Sequence, residues 1–235
     1  MTVVEEVTRL AARLGELAQW RKAKDLTLGI GRRADELAGV QRELAVLVAA
    51  LYKLEENVQP ENLAEFNVLR ATSSRSVIEL GRAYERPENV LATELHGPAI
   101  ESLRNLVTKT RTLVQAGWRD LVSRQPGGKR AELLAALTSL GRFRVEASAL
   151  AQIQVKCDEL ARVLVPKPDE VDKWLALMRQ WQEGWRPIED SLAPEVAHFL
   201  GEATSNGAEL NLLTKAVRDW LQSQGLESAF RVRAT

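Results

Sequence analysis

The chain has 235 residues, 45% hydrophobic and 27% charged, a balance that excludes wholesale disorder and fits a folded soluble protein. Its 32 basic and 32 acidic side chains cancel, which excludes a global field for nucleic acid or an anionic membrane and leaves only local patches. The single cysteine, Cys157, excludes an internal disulfide and is expected to be a buried thiol in a reducing compartment. The first residues lack the basic and apolar regions of a signal peptide, and no window approaches the ~20 apolar residues of a membrane span. A cytoplasmic protein without a membrane partner is expected.

Val3, Val7, Leu10, Leu14 and Leu17 step by four and three, which predicts an amphipathic first helix. The phase is lost after Trp20. A new register runs through Ile30, Ala34, Leu37, Gln41, Leu44, Val48 and Leu51, with Gly29 and Gly31 at the junction. We read a break between two helices across 25–29, a single helix with a stutter being the alternative. Pro60 opens a third helix, with Glu61 in its first turn. Leu63, Phe66, Leu69, Val77, Leu80 and Tyr84 mark its apolar side, and the polar run Thr72-Ser73-Ser74-Arg75-Ser76 predicts a kink or an exposed face. Arg86-Pro87 and Gly97-Pro98 bracket a short segment.

The stretch 99–165 is predicted to be two long helices folded back about Gln125-Pro126-Gly127-Gly128. Ile100, Leu103, Val107, Thr110, Val114, Gly117 and Leu121 keep one face of the first arm on a partner. Ala136, Leu140, Phe143, Ala147, Leu150, Gln154, Cys157, Ala161 and Leu164 do the same on the second. After Pro166-Lys167-Pro168, Val171, Trp174, Met178, Trp181 and Trp185 share one stripe, which Arg186-Pro187 is expected to close. Pro194 begins another short helix, and Thr214 caps a last one that Gly225 ends. The alternation of Phe230 and Val232 with Arg231 and Arg233 is strand-like, with Leu210-Asn211-Leu212 as a candidate partner strand.

The fold class is therefore all-α: an elongated antiparallel helical bundle or coiled-coil hairpin over 1–165, and a smaller tryptophan-rich helical portion over 166–235. A short terminal β-hairpin is the optional addition.

Chemistry-bearing motifs are sparse. Glu195 and His198 make the Glu-x-x-His step of carboxylate-bridged metal bundles, but that architecture needs a second such step, and none exists. Gly127-Gly128-Lys129-Arg130 lacks the earlier glycine and the Ser or Thr of a phosphate-binding loop. No catalytic, cofactor or metal site is assigned, and no enzyme is expected.

Charge placement is more informative. Residues 99–130 carry seven basic against two acidic side chains, and Arg104, Lys109, Arg111, Arg119, Lys129 and Arg130 are the candidates for contacting phosphates. Leu10, Leu14, Leu17 and Trp20 on the first helix, with Trp174, Trp181 and Trp185, are the candidates for holding a partner, since tryptophan is favoured at interface hot spots.

At the C-terminal end, Leu212-Leu213-Thr214, Val217, Trp220-Leu221, Gly225-Leu226 and Phe230-Arg231-Val232 resemble the ends of large prokaryotic phage-defence ATPases. No residue role or activity is carried over from this likeness. The expected function is a non-enzymatic helical scaffold or adaptor that binds a partner protein, or a second copy, through amphipathic helices. The alternative is a nucleic-acid-binding accessory subunit of a larger complex, one the resemblance would place with a phage-defence ATPase.

Overall fold

Loss of phase and proline placement mark most helix ends in the computed structural model, which describes residues 2–20, 24–86, 89–92, 94–124, 133–134, 137–138, 143–205 and 208–226. The helices are α1 (Val3–Trp20), α2 (Lys24–Leu54), α3 (Pro60–Ala83), α4 (Asn89–Ala92), α5 (His96–Ser123), α6 (Arg144–Ala161), α7 (Pro168–Ser191), α8 (Pro194–Ser205) and α9 (Lys215–Ser223). Single 3-10 turns occupy Glu55–Asn57 and Leu210–Leu212. The described residues are all-α, and none of their helices is long and apolar enough to cross a membrane.

Two compact units divide the chain: Met1–Ser123 with Leu164–Val171, and Arg124–Val163 with Asp172–Thr235. The arms expected to pair across 99–165 are therefore apportioned differently. The first arm is α5 in the first unit, and the second is α6 in the second unit. The C-terminal tail 227–235, with Phe230 and Val232, lies outside the described residues, and the candidate partner strand is the 3-10 turn at Leu210–Leu212.

In the first unit four helices make a bundle whose neighbours run α1–α2–α5–α3 and back to α1, which sets α2 and α3 on a diagonal. Ion pairs fix the directions. Arg104 meets Glu36 at 2.7 Å and Arg111 meets Glu43, so α5 runs parallel to α2. Ser73 bonds Ser102, Oγ to Oγ, at 2.9 Å, and Lys109 reaches Glu65 at 2.6 Å, so α5 runs antiparallel to α3. Leu14, Leu37, Leu44, Leu54, Leu80 and Leu103 are fully enclosed, each contributing about 1.5–3 kcal/mol by leaving water.

Three local expectations take a more definite form. α2 starts at Lys24 and runs through Gly29 and Gly31, so 25–29 lies inside a helix and not between two. α3 runs on through the polar segment, where Thr72 and Arg75 are exposed and Ser73 is buried and bonded to α5. α7 continues through Pro187 to Ser191. Proline removes one backbone donor there, while burial of Ile188 and Leu192 holds the last turn in place.

In the second unit Trp181 and Trp185 stack with centroids 5.8 Å apart. They pack in one core with Leu134, Phe143, Leu150 and Phe199. A Cβ at Gly184 would lie 3.0 Å from Leu150 Cδ2, so the missing side chain brings α6 close to α7. Thr214 caps α9 by accepting from Val217 N at 3.4 Å, and Gly225 leaves the helix at φ +66°.

Candidate functional site

A concave feature of the first unit lies beside the start of α1. α1 has 18 residues against 31 in α2 and 24 in α3. Leu10 packs against Gly81, so the first turn of α1, seven residues earlier, is level with Ser74. Beyond it α3 continues to Pro60, about 20 Å at ~1.5 Å per residue, with no α1 alongside.

The uncovered length of α2 and α3 forms a cleft. One wall is Ala45, Val48, Ala49 and Tyr52, and the other is Asn67, Arg70, Ala71 and Ser74. Both walls are i, i+3, i+4, i+7 stripes, each presenting one helix face. Thr2, Val3 and Val4 close one end of a cavity of about 550 Å³. A second cavity of about 230 Å³ shares Val48, Tyr52, Asn67 and Arg70 and extends over Leu51, Leu63 and Phe66 to Glu55.

The floor is apolar and built from small residues, and the rim carries an aromatic side chain, Tyr52, 61% exposed. Arg70 lines both cavities, and among the described residues its side chain has no carboxylate partner. Thr2 and Glu5 form a reciprocal capping box, Thr2 N to Glu5 Oε2 at 2.8 Å and Glu5 N to Thr2 Oγ1 at 3.2 Å. The charges of the cleft are thus Arg70 and, at the far end, Glu55.

A separate polar chain ties α2, α3 and α5. Arg104 donates to Glu36, and His96 Nε2 lies 3.2 Å from the same carboxylate. A carboxylate only accepts, so Nε2 carries the proton and Nδ1 accepts from the Tyr84 hydroxyl at 2.6 Å. Arg33 in turn donates to Tyr84 Oη at 3.5 Å and to the Val90 carbonyl. Burial pushes the His96 imidazole below its ordinary value, with Arg33 adding to the effect and Glu36 opposing it. Burial likewise pushes the Tyr84 phenol up. Both ring nitrogens of His96 are engaged within the fold, which makes this chain a polar staple.

Most of the residues expected to hold a partner are buried. Leu10 and Leu14 are core residues, and Leu17 is half-buried. Trp174, Trp181 and Trp185 are buried, while the side chain of Trp20 lies outside the described residues. Helical spacing on an apolar face has buried Leu10, Leu14, Trp174, Trp181 and Trp185, and Trp181 and Trp185 belong to the core of the second unit.

Of the residues expected to reach phosphates, Arg104, Lys109 and Arg111 are paired with Glu36, Glu65 and Glu43. Arg119 is exposed, and Lys129 and Arg130 lie outside the described residues. Glu195 accepts from Thr214 Oγ1 at 2.7 Å. Among the described residues no group of three His, Cys, Asp or Glu is gathered to hold a metal. Cys157 is buried, its thiol pushed up to about 11 by desolvation and by Asp158.

Of the cleft residues, Val48, Leu51, Leu63, Phe66 and Ser74 were read in the sequence only as parts of helix faces, and Tyr52 and Arg70 were not singled out. The signal available for them was the pair of short stripes of small and polar residues flanking the seams of α2 and α3. Comparison with models of protein families, with curated proteins and with solved structures returns no match to this chain.

Proposed function

We propose that the protein is a non-enzymatic helical adaptor, acting in the cytoplasm, that holds a partner protein in the cleft between α2 and α3. The observation that carries this reading is the cleft itself, where α3 continues about 20 Å past the start of α1 and α2 runs beside it to Leu54. Helices packed in bundles bury such faces against a neighbouring helix, and helix-in-groove docking is a recurrent mode of protein recognition. The exposed Tyr52 at the rim is the residue type that anchors interfaces. Mutual satisfaction of Glu36, His96, Tyr84 and Arg33 supports a structural role for the most elaborate polar cluster of the first unit.

Site-specific photo-crosslinking in the native host tests the reading. A photoreactive residue at position 52 is expected to give a discrete adduct with another polypeptide, absent when Ala49→Arg fills the floor of the cleft. The same probe at Val145, which is 79% exposed in the other unit, serves as the background. Labelling at position 52 no greater than at 145 would rule out the adaptor reading.

A further inference from the structure

We infer that the occupant of the cleft is a helical segment of a partner protein, two to three turns long, that runs in the direction of α1 and carries a carboxylate near its C-terminal end to meet Arg70. This rests on the adaptor reading and specifies the ligand that the cleft selects.

Length sets the first constraint. The walls from Leu63 to Ser74 span about 16 Å, which accommodates about eleven helical residues. Ala45, Ala49 and Ala71 keep the cleft shallow-walled, so the visiting helix can approach α2 and α3 at the short interaxial distance that small residues permit. The bundle already shows how such a helix sits, because α1 occupies the same corner further along, packed against both α2 and α3.

Charge sets the second constraint. Arg70 lies toward the end of the cleft closed by α1, and Glu55 lies toward the other end. A helix is positive at its N-terminus and negative at its C-terminus. A visitor running parallel to α1 puts its N-terminus toward Glu55 and its C-terminal turn toward Arg70, and the opposite orientation reverses both contacts. Arg9, Arg104, Lys109 and Arg111 each meet a carboxylate of this chain, whereas Arg70 lines both cavities, where a carboxylate brought by a visiting helix can reach it.

A second copy of the chain is a poor source of this helix. The short amphipathic helices among the described residues bury their apolar faces in their own unit: Val196 and Phe199 of α8, Val217 and Leu221 of α9. An eleven-residue helix also covers far less than the ~800 Å² per partner of a stable dimer.

The test uses the full chain and a set of fluorescein-labelled, amidated alanine-based peptides of about 14 residues, with leucine at alternating third and fourth positions. The first carries glutamate one turn from its C-terminus, the second lysine there, and the third glutamate one turn from its N-terminus. Fluorescence anisotropy is expected to show saturable binding of the first peptide, roughly five- to ten-fold tighter than either companion. Arg70→Glu should reverse the order of the first two by a similar factor. Ala49→Arg, or Ala71→Arg on the opposite wall, should abolish binding of all three with an unchanged far-UV spectrum. Peptides that bind equally well, with no response to Arg70→Glu, would overturn the assigned polarity. If the position-52 adduct persisted in that case, the adaptor reading would stand and only this occupant would be wrong. A dimer in sedimentation that is lost in Ala49→Arg would put a second copy in the cleft and overturn the proposal as well.

Discussion

Gly117 of α5 is the position where one added methyl group best tests the packing that holds the base of the bundle. A Cβ there would lie 2.9 Å from Val58 Cγ2, 3.2 Å from Leu54 Cβ and 3.4 Å from the Leu54 carbonyl oxygen. Two of these three contacts are with Leu54 Cβ and its backbone oxygen, which cannot swing aside as a side-chain tip can. In an unobstructed helix interior, Gly→Ala stabilises by about 1 kcal/mol. Forcing a methyl into a closed contact costs about 1–3 kcal/mol, so Gly117→Ala is expected to destabilise by roughly 1–2 kcal/mol net. Gly39 in α2 provides the control, because a Cβ there meets nothing within 4 Å and Gly39→Ala should stabilise by about 0.5–1 kcal/mol. Urea unfolding followed by far-UV circular dichroism should therefore separate the two variants by about 2 kcal/mol, with wild type between them. Gly117→Ala as stable as Gly39→Ala would mean that α5 does not lie against the turn after α2 at this distance. The cleft would then lose the base on which its geometry rests.

Three further outcomes are expected. Burial lowers the His96 pKa in the folded state, so the unfolded chain takes up the proton first as pH falls. The associated stability is complete above about pH 6.5 and declines as pH drops below it; His96→Gln should flatten that part of a urea-midpoint profile, and superimposable profiles would refute the assignment. Cys157, buried with its thiol pushed up to about 11, should react with a disulfide reagent near neutral pH at least about 100-fold more slowly in the native protein than in urea; equal rates would mean the thiol is open. Thr214→Ala removes both the cap on Val217 N and the bond to Glu195, and a loss of about 1 kcal/mol should appear as faster amide exchange at the start of α9, unchanged exchange arguing against the cap.

The helices were legible because burial leaves a period. Leu37, Leu44 and Leu51, or Leu103, Leu106 and Val114, recur on one side of a helix whatever lies against it. The partner of that side is not encoded in the period. The seam of α5 is met within its unit by α2 and α3, and a three-four step on one helix is equally compatible with an adjacent arm or with helices 50 residues upstream. The basic stripe illustrates the same limit. Arg104 and Arg111 are separated by one heptad, and so are their partners Glu36 and Glu43, each pair 68 residues apart in sequence. That constant offset records the parallel register of α2 and α5, yet each arginine viewed alone resembles a residue awaiting a phosphate. Pro187 was misread for a related reason: proline weakens one turn of a helix, but burial of Ile188 and Leu192 outweighs the loss.

The cleft lay beyond sequence reading because it is an absence of covering rather than a cluster of distinctive residues. Its walls are alanine, valine, asparagine and serine at helical spacing, with only Tyr52 and Arg70 conspicuous, while the eye is drawn to leucine and tryptophan, which the core absorbs. The same composition explains how the first unit tolerates the gap. Alanine exposes little apolar area at ~25 cal/mol per Å², so leaving Ala45, Ala49 and Ala71 uncovered costs much less than leaving three leucines there. A cleft of small residues consequently gains little from being filled, and the helix we propose there would be retained by Tyr52 and by the charge at Arg70. Such a site favours reversible engagement over permanent assembly, and replacing Ala49 and Ala71 by leucine should convert it toward self-association, a change that sedimentation at increasing concentration would reveal. Variants that stay monomeric at every concentration would show that apolar area on the walls does not set how strongly this face associates.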